Sequence, residues 1–229
     1  VIHFDLNAYE IAKNHRIDLG VVCDPKEGLE ALDTALVGAM DAGRKAAASG
    51  RVRRMAAERA EAAAKARAQD SAAAAQPAAT MEAFATALAE RMPADALVFD
   101  EALTAAGPFN RAIPRTEPGS YFFTRGGSLG VGFPGAVGVS LANPGKLVIG
   151  LCGDGGTMYT PQALWTAKKY GTRCLFIVCN NARYRLLDLN IEHYWQEQGV
   201  PAHDLPSPFD IGEPRLGFVE IAKGMGVPG

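Results

Sequence analysis

One carboxylate, Asp154, lies among glycines in Gly153-Asp154-Gly155-Gly156, and an amide pair, Asn180-Asn181, follows with Asn181 27 positions after the Asp. A carboxylate, an amide oxygen and free backbone N–H groups suit a hard cation that bridges to a phosphate. Taken alone, a GDG turn is ordinary turn chemistry and an Asn pair is ordinary loop chemistry. The stretch between them makes the difference. Lys146 to Cys152 is a short apolar run that reads as a strand, and the glycines after it allow a sharp turn and close approach to a ligand. Thr160-Pro161 is expected to open a helix, with Thr160 as N-cap and Pro161 at the first helical position. Leu164, Ala167 and Lys168 keep helical spacing, and Gly171 is the expected stop. Leu175 to Cys179 is a second apolar run that ends in the Asn pair. Parallel strands joined by a helix cross over right-handedly, so both strand ends open on one edge of the sheet. The pattern brings Asp154 and Asn181 together beside the amide-rich start of a helix.

With its glycine turn, helix, strand and Asn pair in this order and spacing, the stretch resembles the thiamine-diphosphate (ThDP) motif. The resemblance implies that Asp154, Asn181 and the main-chain carbonyl of Arg183 hold Mg²⁺ on the cofactor's diphosphate. It extends from Asp95 to Gly229, which is similar to the diphosphate-binding domain of the decarboxylase and acetolactate-synthase group, with a texture nearest the benzoylformate decarboxylases. The fold it implies is α/β, a parallel sheet flanked by helices, preceded by a partial α/β central domain.

Composition sets wide bounds. A chain of 229 residues with 48% hydrophobic and 21% charged residues matches an ordinary globular protein. A net charge of −2 gives no general pull toward nucleic acid or anionic membranes. No apolar run approaches the roughly 20 residues that span a bilayer, and VIHFDLNAYE lacks the pattern of a signal peptide. The missing initiator Met suggests a processed chain or a fragment. Cys23, Cys152, Cys174 and Cys179 lie in or beside apolar segments without a CxxC pair, so buried reduced thiols and a cytoplasmic setting are expected.

In chain order, Val1 to Asp5 and Leu19 to Cys23 read as strands, with a helical turn at Tyr9 to Asn14 between them. Leucines at 29, 32 and 36 mark Glu27 to Met40 as an amphipathic helix. Residues 1–40 bury too little to be a whole domain, and they resemble the C-terminal remnant of the family's central domain. Residues 41–79 turn alanine- and arginine-rich, an exposed helical linker expected to be interrupted at Gly43 and Gly50 and to end at Pro77. The resemblance implies that residues 80–229 are the ThDP diphosphate-binding domain, expected to be truncated before the closing elements the family would add. Thr80 is the expected N-cap of a helix over Met81 to Arg91, and Ala96 to Phe99 reads as a strand.

Gly130, Gly132 and Gly135 spell a literal GxGxxG, but Arg125 to Leu129 separate it from the preceding strand, which weakens a dinucleotide reading. The resemblance assigns this loop to the cofactor instead. Gly127 would accept the aminopyrimidine N–H, and Leu129 would wedge the cofactor into its bent form. Leu103 and Thr104 would meet the pyrimidine side; Gly155, Gly156, Tyr159 and Tyr184 would flank the diphosphate. Phe123, Leu186 and Leu187 would line an apolar pocket for a bulky or aromatic 2-oxo acid. Asn190 to Gly199 and Phe218 to Met225 read as helices, and His193 and His203 as surface or structural histidines.

The implied function is decarboxylation of a 2-oxo acid through a C2 ylide and an enamine, with the cofactor supplying the chemistry. Acetolactate-synthase-like carboligation is the alternative, although ALTAAGPFN after Glu101 lacks that branch's QHQMW-like signature. A non-catalytic nucleotide-binding module is a third reading. The activating glutamate belongs to a separate pyrimidine-binding domain without a counterpart here, so no catalytic residue is assigned. The implied assembly is a homodimer or homotetramer in which the other half-site comes from that missing N-terminal domain.

Overall fold

The computed structural model describes residues 1–76, 79–113 and 117–229; the linker end expected at Pro77 lies outside them. The chain divides into two compact units, Val1–Lys65 and Ala66–Gly229.

In the first unit, β1 (Ile2–Asp5) pairs in parallel with β2 (Leu19–Val22), and α1 (Pro25–Ala39) follows. Where the helical turn is expected, Tyr9 to Ala12 forms turns, with Lys13 donating its N–H to the Glu10 carbonyl at 3.3 Å. Asp24 caps α1 by accepting the N–H groups of Lys26 and Glu27, with Pro25 opening the helix. The leucine stripe does not make the packing face: Leu29 and Leu36 are exposed. Gly28 does, because a Cβ there would come within 2.6 Å of Phe4. Next comes α2 (Ala42–Ala74), which begins in this unit, buries no residue and runs unbroken through Gly43 and Gly50. A glycine costs a helix only about 1 kcal/mol relative to Ala, and the Ala/Arg-rich surroundings outweigh that.

The second unit is a four-stranded parallel sheet in the order β4-β3-β5-β6. Its elements are α3 (Met81–Arg91), β3 (Leu97–Glu101), α4 (Ala106–Ala112), β4 (Tyr121–Phe123), α5 (Gly132–Ala142), β5 (Val148–Gly153), α6 (Asp154–Tyr159), α7 (Ala163–Tyr170), β6 (Cys174–Cys179), α8 (Arg185–Gln198) and α9 (Phe218–Gly224). Thr80 caps α3 by accepting the Ala83 N–H. Gly171 and Gly199 close α7 and α8 in left-handed conformation.

Helices cover both faces of the sheet, which is why β5 is an apolar run rather than an alternating one and β3 is buried along most of its length. On one face, Val98, Ile149, Leu151 and Cys179 pack with Ala85, Phe109 and Ile113. On the other, Cys152 packs with Phe133, Ala163 and Leu164, and Val148 with Leu97 and Ala136. Helix α5 lies close on the sheet because Gly135 and Gly150 lack side chains: added Cβ atoms would stand 2.4 Å from the Phe99 ring and 2.9 Å from Ala136.

The expected start of the crossover helix needs correction. The chain turns helical at Asp154 itself, in α6, and α7 begins three residues after Thr160 with no side-chain cap. Thr160 serves the preceding loop instead, donating its hydroxyl to the Gly130 carbonyl at 2.6 Å.

Candidate functional site

The C-terminal ends of β3, β5 and β6 open on one edge, as a crossover requires. There they border a cavity of about 680 Å³. Among its lining residues are Leu103, Thr104, Leu129, Asp154, Gly155, Gly156, Tyr159, Asn181, Arg183, Tyr184, Leu186 and Leu187. Gly127 and Phe123 are not among them. Gly127 sits in the preceding loop with φ of 70°, and Phe123 ends β4 with its ring 4.8 Å from that of Tyr121.

Asp154, at the end of β5, is 4% exposed. Its Oδ1 accepts the Gly155 N–H at 2.8 Å, and its Oδ2 accepts those of Asn181 at 3.0 Å and Ala182 at 2.7 Å. Three donors leave a carboxylate, with about four lone-pair sites, with capacity for one more partner. The loop beyond β6 is thus drawn onto β5, and the spacing of Asp154 and Asn181 has a direct physical reason. Ala182 takes a left-handed φ of 58° to make the turn. Asn180 and Asn181 each fold back, their Oδ1 atoms accepting the N–H groups of Ala182 and Arg183 at 3.0 Å.

A second loop clamps this one. Arg183 forms an antiparallel bridge with Asp210, Tyr184 donates its N–H to the Phe209 carbonyl at 2.8 Å, and Ile211 donates to the Ala182 carbonyl at 3.0 Å. The Arg183 side chain forks onto Asp188, Nε at 2.9 Å and Nη2 at 3.1 Å. Hydrogen bonds from that guanidinium hold the Asp188 carboxyl below the ordinary carboxylate range, and the same bonds push Arg183 up.

The glycines after Asp154 are required by close neighbours. A Cβ on Gly155 would stand 2.4 Å from the Tyr184 ring, and one on Gly156 2.7 Å from the Glu101 carboxylate. Glu101, 1% exposed, accepts the N–H groups of Gly130 and Gly132. Two of the three GxGxxG glycines therefore bind a buried carboxylate, and the third makes room for Phe99. They form the support for Leu129.

Glu101 escapes a linear reading because its partners Gly130 and Gly132 are brought near only by folding, and Asp188 because its burial under the nearby Arg183 is not visible in the sequence. A carboxylate at the end of an apolar run was the only sequence signal for Glu101. The helix starts five residues before the expected Asn190, which puts Leu186 and Leu187 on the first turn of α8. Both histidines lie apart from the cavity: His193 faces Glu197 at 3.2 Å, and His203 packs on Trp195 with the rings tilted by 40° and centroids 4.1 Å apart. All four cysteines are free; Cys152 and Cys179 are buried, Cys23 and Cys174 half-buried. Among the described residues, no helix is long and apolar enough to cross a membrane.

A parallel α/β domain with a buried carboxylate, an Asn-pair loop and an apolar cavity at its strand ends has the form of a cofactor-binding domain. Residues 104–229 match the family model for the "Thiamine pyrophosphate enzyme, C-terminal TPP binding domain", and the chain belongs to that family. The chain is 38% identical to benzoylformate decarboxylase of Pseudomonas aeruginosa over 135 residues, 59% of this chain and 24% of that protein. It is 31% identical to the acetolactate synthase isozyme 1 large subunit of Escherichia coli over 118 residues, 51% of this chain and 20% of that protein. The thiamine diphosphate-dependent 4-hydroxybenzoylformate decarboxylase of Rhodococcus jostii RHA1 superposes with a TM-score of 0.57 at 30% identity, over 67% of this chain and 28% of that one. The chain spans about a quarter or less of the length of these curated relatives.

Proposed function

We propose that this chain binds thiamine diphosphate through Mg²⁺ and forms one half of the active site of a 2-oxo acid decarboxylase. The observation that carries the reading is the sharing of one cavity by a buried carboxylate and an apolar wall: Asp154 borders the same space as Leu103, Leu129, Leu186 and Leu187. Such a space suits a molecule with a doubly charged end and a heterocyclic body. Asp154, the Asn181 side-chain oxygen and the Arg183 carbonyl would hold the cation, which would neutralise the diphosphate charge.

Gly155, Gly156, Tyr159 and Tyr184 would flank the diphosphate, while Leu103 and Thr104 would meet the pyrimidine. Leu129, carried on the loop tied to Glu101, would set the bend. When bound, the cofactor supplies a nucleophilic carbon and an electron sink for loss of CO₂. Leu186 and Leu187, which line the cavity, would face a bulky or aromatic substrate and keep water away from it. The proton-transferring groups, including the activating glutamate, would come from a pyrimidine-binding domain across a homodimeric or homotetrameric interface.

Benzoylformate decarboxylase similarity and the ALTAAGPFN loop favour decarboxylation; the acetolactate synthases among the relatives support carboligation as the second reading. The test is a calorimetric titration of the full-length protein with ThDP, with Mg²⁺ and with chelator, repeated on Asp154→Ala. Mg²⁺-dependent heat that disappears in the variant is expected. Silence with ThDP and a signal with NAD or FAD would overturn the reading. Assays with benzoylformate and pyruvate, separating aldehyde from acetolactate, then distinguish the two branches.

A further inference from the structure

Asp188 has no part in the motif, yet it is among the most deeply buried charges of the chain, with no exposed surface. It lies in the first turn of α8, where its N–H reaches back to the Tyr184 carbonyl at 3.3 Å. Its carboxylate takes both arms of the Arg183 fork, and Arg185 approaches it at 3.6 Å. Burying a carboxylate is costly until its partners repay it, and a well-packed apolar residue would often serve stability as well. What this carboxylate adds is geometry. The backbone of Arg183 is already held on one side by the Asn181 side chain and on the other by the bridge to Asp210. The Asp188 fork adds a third tether to the same residue and ties it to the helix bearing Leu186 and Leu187.

We propose that Asp188 is a positioning residue for the cation site: acting through Arg183, it holds the main-chain carbonyl at 183 at the distance and angle that a small octahedral cation demands. The proposal rests on the Mg²⁺–diphosphate reading above. It sets one carboxylate to hold both the cation loop and the first turn of the helix that lines the pocket.

The test is a Mg²⁺ titration of the full-length protein at saturating ThDP, read by calorimetry and repeated with Ca²⁺. Asp188→Asn keeps the shape but turns an amide N–H₂ toward the guanidinium, and Arg183→Lys keeps the charge but loses the two-donor fork. Each should raise the Mg²⁺ concentration for half-saturation about tenfold, the scale seen when a group that orients a metal ligand is lost. Half-saturation by Ca²⁺ should move less, because Ca²⁺ tolerates irregular geometry. A merely structural role would lower the unfolding temperature and shift both cations alike; equal shifts, or none, in whichever variants fold would overturn the proposal. If the unsubstituted protein is itself indifferent to Mg²⁺, the underlying reading falls and takes the proposal with it. A normal Mg²⁺ response that survives both substitutions overturns the proposal alone.

Discussion

Glu101 and Gly130 meet across 29 residues of sequence: the carboxylate closing β3 accepts the amide N–H of the glycine that opens the turn into α5. The same carboxylate accepts the N–H of Gly132. One buried side chain thus shapes the loop that carries Leu129 into the cavity. Glu101→Gln should destabilise the chain by about 2 kcal/mol, since it turns an amide N–H₂ toward backbone donors that had a charged acceptor. Urea denaturation measures this directly. An unchanged midpoint would mean that the loop holds its shape without the tether.

Gly155 and Tyr184 make a second dependence that can be tested by subtraction. Any side chain at 155 collides with the Tyr184 ring, at 2.4 Å for the Cβ alone. Gly155→Ala should therefore cost about 1–3 kcal/mol in folding stability, the usual range for overpacking. In a Tyr184→Ala background the same change should cost much less, because the obstructing ring is gone. Equal costs in both backgrounds would place the strain elsewhere.

How much of this was readable in the sequence depends on the range of each interaction. The Asp154–Asn181 juxtaposition was legible because a parallel crossover obliges neighbouring strand ends to share an edge, and the apolar runs marked those strands. The caps at Thr80 and Gly171 are local chemistry and were equally legible. Thr160 misled because it carries the right residue type for a cap while its hydroxyl is drawn to Gly130, thirty residues away. The leucine stripe of α1 misled similarly, since close approach to Phe4 selects the glycine face. Glu101 and Asp188 have no periodicity to betray them: the amides that Glu101 binds lie about thirty residues away, and Asp188, though close in sequence to Arg183, gives no sign there that it is buried.

The exposed helix α2 offers a stabilising change. A Cβ at Gly50 would meet nothing within 4 Å, and the position lies inside an unbroken helix. Gly50→Ala should add about 0.5–1 kcal/mol through helix propensity and a less flexible unfolded chain. Higher helical content and a raised midpoint for α2 unfolding, followed by circular dichroism, are expected. A loss of stability would show that the glycine answers to a contact outside the helix.

The buried thiols give a pH dependence of definite sign. Burial pushes Cys152 up to about 12, and burial followed by the nearby Asp100 charge pushes Cys179 up to about 11. An unfolded thiol ionises near about 8.5. Above that pH the unfolded chain gives up protons that the native chain retains, so the unfolded state binds fewer and stability falls as pH rises. The contribution is complete below the unfolded value and is lost progressively toward the native ones. Urea midpoints measured between about pH 7 and about pH 10 should therefore decline, and decline less in Cys152→Ala/Cys179→Ala, which removes these two groups from the linkage. Native labelling at about pH 8 should reach the half-buried Cys23 and Cys174 first and spare Cys152 and Cys179 until the chain unfolds. Equal pH slopes with and without the two thiols would show that their protons are not what alkali removes on unfolding.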